Sequence, residues 1–370
     1  MQRRGPESRQ PEVHITRLLQ RLLFVVVGLV AGLIAAEGLA RLLVPQWQPR
    51  WGERATFWRY DARLGWAHRP GQQGVFSGPG FRAPVRINSR GLRDVERTPA
   101  PAPGTRRVLV LGDSFGWGYG VPGESCVVAR LESARPGTEF VNGSVSGYGT
   151  AQELLWYRLE GARYGAGLVV LLVSDNDVAD NCGPSIYWYR KPYFTLDGDS
   201  LRLNGVPVKP PTPLERVRMW ALGRTFLGAG ARALWWRMRG GAVDAVERAG
   251  GDVAPAPLEA SADSACFAVT RAILRALAAE AGAHGARLAI VLVPMPAAMA
   301  DWWMRTAAQA GIPALDLRGR VPAGAPTHLP GDPHWNSLGH ALAAQAALPF
   351  VDSLLAGPRE ARRGARTQDR

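Results

Sequence analysis

Residues 22–36 (LLFVVVGLVAGLIAA) form an unbroken, uncharged apolar run near the start of the chain. Coiled as a helix, such a run rises about 22 Å, short of the roughly 30 Å hydrocarbon core of a bilayer. It reaches spanning length by continuing to Val44 through Glu37 and Arg41, which stand at i, i+4 and can pair near the membrane surface. Pro45 then ends it. Residues 22–44 are therefore expected to be a retained transmembrane anchor. The rival is a signal peptide cleaved after Ala36. A long basic region before the run and apolar residues beyond the cleavage point argue against it.

Residues 46–105 carry no long periodic run and are rich in Pro, Gly, Trp and Arg. The segment 45–105 is expected to link the anchor to the main domain through short strands or irregular chain, with a strand and turn over 85–91. From residue 107 the pattern changes. Short apolar runs at 107–111, 140–142, 168–173, 288–293 and 314–317 alternate with helical patterns at 124–134, 151–164, 262–282, 300–310 and 336–347. Continuous apolar strands alternating with helices imply a parallel sheet covered on both faces. The expected fold over 106–352 is α/β: three α/β/α layers around a central five-stranded parallel sheet, flavodoxin-like, plus one N-terminal transmembrane helix. Residues 183–260 interrupt the alternation. They hold an aromatic, basic stretch (186–194, IYWYRKPYF) and, over 214–239, Trp220, Phe226, Trp235 and Trp236 among arginines. A helical cap over the sheet, a sugar-stacking groove and a membrane-surface helix all fit that composition.

Charge changes the picture little. The net charge is +13, but lysine occurs only at Lys191 and Lys209, and the arginines are scattered. Both ends carry part of the excess, so 1–21 and 353–370 are expected to be basic tails, the first cytoplasmic and the second disordered. No basic stripe accompanies a nucleic-acid-reading motif, so nucleic acid is not an expected partner. Arginines flank the apolar run on both sides, which weakens the positive-inside contrast; we adopt an inner-membrane, single-pass orientation with the main domain outside the cytoplasm. Cys126, Cys182 and Cys266 show neither CxxC nor metal-ligand spacing. One disulfide with a free thiol and three buried thiols both remain open. No metal or cofactor is expected.

In a parallel sheet the chemistry collects beyond the carboxyl ends of the strands. After the first strand comes Gly112-Asp113-Ser114-Phe115, and after the second Asn142-Gly143-Ser144-Val145-Ser146-Gly147. Ser174-Asp175-Asn176-Asp177 follows the third strand, and Gly331-Asp332-Pro333-His334-Trp335-Asn336 follows the fifth. Taken singly, these are ordinary turn and cap residues. Asp175 and Asp177 alone suggest metal ligands only faintly. Together they are the parts of an acyl-transfer site: a nucleophile, a base with an orienting carboxylate, and donors for a developing oxyanion. If the last segment is extended, Asp332 and His334 point the same way. Among the six histidines only His334 combines a strand-end position with a nearby aspartate.

These residues resemble the SGNH (GDSL-type) hydrolases, a family named for its Ser, Gly, Asn and His. Gly112-Asp113-Ser114-Phe115 is similar to the first block, Gly147 to the second-block glycine, Asn176 to the third-block asparagine, and Asp332-Pro333-His334 to the last block with D-x-H spacing. Leu64-Gly65-Trp66 and the stretch from Ile87 to Asp94 resemble the region preceding the GDS block in bacterial membrane-anchored members. The resemblance implies a serine esterase with Ser114 as nucleophile, His334 as base and Asp332 as its orienting carboxylate. It also implies an oxyanion hole of Ser114, Gly147 and Asn176, with Asp113 bracing its loop. The expected substrate is an acylated glycan or small ester, acetyl foremost, and the expected membrane partner is reached through the N-terminal helix. An O-acyltransferase using the same residues and a catalytically silent glycan-binding protein are the alternatives. Substrate and oligomeric state are not legible.

Overall fold

The central strands are apolar through their middles, and the computed structural model shows why. It describes residues 12–43, 52–78, 80–186, 189–228, 265–320 and 325–356. Strands β1 (Arg106–Gly112), β2 (Thr138–Asn142), β3 (Leu168–Val173), β4 (Arg287–Leu292) and β5 (Ala314–Asp316) pair in parallel in the order β2-β1-β3-β4-β5. Successive side chains alternate between two cores. Leu109, Leu111, Val169, Leu171, Ile290 and Leu292 face one, while Val108, Val110, Leu168, Val170, Ala289 and Val291 face the other. The first core is covered by α3 (Thr150–Leu159), α5 (Ala265–Ala283) and α6 (Ala297–Gln309), the second by α2 (Val127–Ala134) and α7 (Ser337–Leu355). This is the expected three-layer α/β/α architecture with a five-stranded parallel sheet.

Two boundaries differ from the sequence reading. Helix α7 does not stop at residue 347 but runs through Pro349 to Leu355. Proline removes one backbone donor and strains the preceding turn; burial of Ala347 and Val351 against the sheet holds the helix through it. The helix expected over 151–164 ends at Leu159 and is followed by a 3-10 turn, Gly161–Tyr164.

The N-terminal helix α1 spans Glu12–Leu43, well beyond the apolar run at its start. Its stretch Leu19–Leu43 has mean hydropathy 2.4, is not buried against the rest of the chain, and is long and apolar enough to cross a bilayer. Glu37 and Arg41 pair at 2.8 Å, so their charges do not interrupt the helix. Helix α7 also meets the length test, but its apolar side lies on the sheet. The tails before residue 12 and after residue 356, the junction 44–51, and Trp235 and Trp236 lie outside the described residues.

The segment expected to join anchor and main domain through short strands does hold short strands, and these pack into the core. Residues 58–68 and 73–86 form two antiparallel hairpins, Trp58–Asp61 with Gly65–His68 and Gln73–Gly78 with Phe81–Arg86. Trp58 and Trp66 stack at 5.1 Å between ring centroids. Phe57, Trp66, Phe76 and Ile87 are buried in the same cluster as β1 and β3. The indole of Trp66 donates to the Ser146 carbonyl at 3.2 Å, the Tyr148 hydroxyl donates to the Trp66 carbonyl at 2.6 Å, and the Gln152 amide donates to the Leu64 carbonyl at 2.8 Å. The Pro- and Gly-rich composition reflected turns between short strands, and Trp58 and Trp66 are core residues. Cys182 and Cys266 form a disulfide that brackets the insertion, whereas Cys126 is a buried free thiol. Replacing Trp66 with alanine is expected to lower unfolding stability by about 3–5 kcal/mol, the usual loss for a fully buried tryptophan. Urea denaturation checks this; a loose link would leave the midpoint unmoved.

Candidate active site

In the order β2-β1-β3 the chain direction of sheet-building reverses beside β1, and the crevice at such a switch point lies outside the strands' carboxyl ends. Ser114 opens a four-residue helix, Ser114–Trp117, immediately after β1. Asp113 caps it, accepting the Phe115 N–H at 2.9 Å. Gly116 has no alternative there: a Cβ would lie 2.2 Å from Ser144 Oγ. That approach brings the loop after β2 against the turn, where the Asn142 side chain donates to the Gly116 carbonyl at 3.0 Å.

The structure brings Ser114, His334 and Asp332 together. His334 Nε2 lies 2.7 Å from Ser114 Oγ, and His334 Nδ1 lies 2.6 Å from Asp332 Oδ1. A carboxylate only accepts, which places the imidazole hydrogen on Nδ1 and leaves Nε2 to accept from the serine hydroxyl. The ring stacks on Tyr119 at 4.2 Å between centroids and meets Phe115 at a tilt, at 5.0 Å. The reason Asp332 and His334 share a site differs from the sequence reading. Residues 331–334 are a turn, not a strand. Asp332 Oδ1 also accepts the backbone N–H of His334 at 2.9 Å, folding the carboxylate back over the intervening Pro333. Trp335 is buried beside Phe115, and Asn336 caps α7 through the N–H groups of Leu338 and Gly339. His340 accepts the Val127 N–H at 3.2 Å; burial pushes it down to about 3, so it stays neutral.

The three expected oxyanion donors border the same edge. Gly147 has φ +77°, a conformation that glycine adopts without strain. The N–H groups of Ser114 and Gly147 take part in none of the turn and loop backbone hydrogen bonds among the described residues. Asn176 sits at the carboxyl end of β3 and is half-buried. One of its amide hydrogens is directed to Asp180 Oδ2 at 2.5 Å, and the other is left over.

Sequence reasoning missed the polar frame behind these groups. Ser174 Oγ lies 2.7 Å from both Asp113 Oδ2 and Asn176 Oδ1. One hydroxyl proton serves only one of these acceptors, and a proton on Asp113 would satisfy the other contact. Burial raises the Asp113 carboxyl, the direction that supplies it. Glu153 and Asp177 lie deeper. Burial foremost, and then the carboxyls around them, push both well above the usual carboxylate range. Asp177 accepts the Ser174 N–H at 2.7 Å, whereas neither Glu153 oxygen has a partner. Asp175, its faint companion as a metal-ligand candidate, is exposed. Arg93 was also missed. It is buried, lies over Trp117 at 4.3 Å, and donates to the carbonyls of Trp117, Gly118 and Val121 at 2.5–3.0 Å. It thereby terminates the helix that begins at Ser114. A lone arginine in a turn-rich stretch carries no such signal.

No family model matches the chain, and no curated protein matches it. Solved structures similar to it include TesA, at 17% identity and TM-score 0.39, over 67% of this chain and 99% of that one. A putative lipolytic protein of the G-D-S-L family from Desulfitobacterium hafniense is similar at 11% identity and TM-score 0.38, over 66% of this chain and 99% of that one. A two-domain esterase active on acetylated mannans is similar at 12% identity and TM-score 0.32, over 67% of this chain and 49% of that one. At these scores the likeness carries no argument about chemistry, which rests on the distances above.

The buried acids have a consequence for stability. A carboxyl whose folded pKa is raised contributes stability that is intact below the unfolded value and is lost as pH rises toward the folded value. Glu153→Gln removes that loss. The variant is expected to match the wild type near pH 4.5 and to become the more stable of the two as pH rises, read as the difference in urea midpoints between acid and mildly alkaline buffer.

Proposed function

We propose that the chain is a serine esterase of the SGNH class, held at the membrane by α1 with its α/β domain outside the cytoplasm. The observation that carries this reading is the continuous Asp332–His334–Ser114 chain, with contacts of 2.6 and 2.7 Å on a strand-end turn. In the proposed reaction Ser114 Oγ attacks the ester carbonyl while its proton passes to His334 Nε2. The tetrahedral oxyanion is held by the Ser114 and Gly147 amides and the free hydrogen of the Asn176 side chain. His334 returns the proton to the departing alkoxide, leaving an acyl group on Ser114. Water, deprotonated by His334, then attacks the acyl carbon; the bond to Ser114 Oγ breaks, His334 returns the proton to that oxygen, and the acid leaves. Asp332 keeps the imidazole in the productive tautomer and offsets its transient charge. No cofactor takes part.

We take the substrate to be an acyl ester, acetyl in the first instance, on a cell-envelope glycan. The Cys182–Cys266 disulfide supports an oxidising compartment, and the apolar α1 supports a site near a bilayer. The test is p-nitrophenyl acetate turnover by the purified full-length protein. Ser114→Ala and His334→Ala are each expected to lower kcat by about 10³-fold or more with the fold intact, since members of such a unit fail together. Undiminished turnover by Ser114→Ala rejects the assignment. With an oligosaccharide acceptor added, free acetate as product supports hydrolysis, and acetylated sugar supports the transferase alternative.

A further inference from the structure

The insertion carries a short helix, α4 (Pro213–Arg224), that presents apolar residues outward. It is well started: Thr212 and Glu215 form a capping box, with proline at the first helical position. Glu215 also pairs with Arg190 at 2.5 Å, which fixes the helix's rotation against the body of the protein. At 100° per residue, the face opposite Glu215 holds Leu214, Val217 and Trp220. These three are 79%, 62% and 57% exposed, while most large apolar residues of the α/β domain are buried. Arg216 and Arg218, both exposed, flank the stripe on either side.

Immediately beyond α4 the chain meets α1. The N–H groups of Phe226 and Leu227 donate to the two oxygens of Glu37, each at 3.1 Å. Arg41 lies 5.7 Å from the Phe226 ring centroid. Over the apolar stretch from Leu19, Glu37 and Ala40 are the positions that become partly buried. A hydrocarbon core of roughly 30 Å takes about 20 helical residues. Counted from Leu22, where the uncharged run begins after Arg21, about 20 residues of an upright helix end beside Arg41, one turn past Glu37. The last turn of α4 therefore stands next to the outer membrane surface.

We propose that α4 is a membrane-docking helix: Leu214, Val217 and Trp220 enter the headgroup layer of the bilayer crossed by α1, with Arg216 toward the lipid phosphates. The occupant of this apolar face is lipid, argued from the continuity of α4 with the anchor and from the tryptophan and arginine chemistry that suits an interface. The proposal rests on α1 being a retained anchor. With a second attachment the α/β domain is held at a set height and tilt above the membrane, instead of swinging on the junction after α1. Esters at the membrane surface are then its nearest substrates.

The experiment uses full-length protein in nanodiscs of equal phosphatidylcholine and phosphatidylglycerol. An environment-sensitive fluorophore is attached through Val217→Cys, with Leu29→Cys labelled separately as a control inside the span. The expected result is blue-shifted emission at both positions, quenched by spin-labelled lipid and shielded from aqueous iodide. At position 217 this signature is expected to disappear when Leu214→Asp and Trp220→Asp are added, with emission at position 29 unchanged. Iodide quenching at position 217 without lipid quenching overturns the proposal, because the stripe then faces water. Shielding from both quenchers, in detergent as in the nanodisc, also overturns it and assigns the stripe to a protein partner or to residues of this chain beyond 228. Failure of lipid quenching at position 29 overturns the retained anchor itself, so the two failures are distinguishable.

Discussion

Parallel pairing sends the carboxyl end of every strand to one edge of the sheet, and the candidate site depends on that constraint. β1, β2 and β3 lie side by side, so the turn carrying Ser114, the loop carrying Gly147 and the turn carrying Asn176 are neighbours without further adjustment. Because both faces of the sheet are sealed by helices, this edge is where polar side chains can gather without entering an apolar core. The final piece arrives from farther away. His334 lies well past β5 and reaches Ser114 through a turn stiffened by Asp332, with Trp335 buried beneath it and α7 capped just beyond.

Placing reactive groups there brings buried polar atoms with it, and such atoms are costly unless partnered. The chain answers with short hydrogen-bonded chains. Asp113 serves two partners at once, capping the Ser114 helix and meeting Ser174, which in turn orients Asn176. The nucleophile turn and the proposed oxyanion side chain are thus parts of one polar unit. Arg93 completes it from the other end by binding the carbonyls where that helix stops. The unpartnered Glu153 beneath this unit remains its least economical feature, a strain on stability rather than a contact.

The N-terminal region is bound into this arrangement. The Trp66 indole and backbone hold Ser146 and Tyr148, one residue to either side of Gly147, so the hairpins after the anchor set the position of a proposed oxyanion amide. A disulfide at Cys182 and Cys266 ties the two ends of the insertion at the foot of α5. The α/β domain, its N-terminal hairpins and the root of its insertion therefore behave as one packed body, with α1 and α4 as its outward-facing apolar elements.

The sequence alone determined the local patterns. Apolar runs of strand length between helical periods led to the five parallel strands, because a doubly covered sheet buries the middle of each strand on both faces and leaves polar residues to the strand ends. Residue chemistry at the ends of those runs singled out Ser114, Asn176, Asp332 and His334. Only the tertiary structure decided which distant groups touch. Arg93, Ser174 and Glu153 acquire meaning from burial beside residues far along the chain, and the turn-rich segment after the anchor became core because Trp66 met the loop of Gly147. The same holds for Asp332 and His334, whose sharing of one site arises from a turn that no strand periodicity could announce. Periodicity is a property of neighbouring residues, whereas burial, pairing and proton placement depend on what the rest of the chain brings alongside.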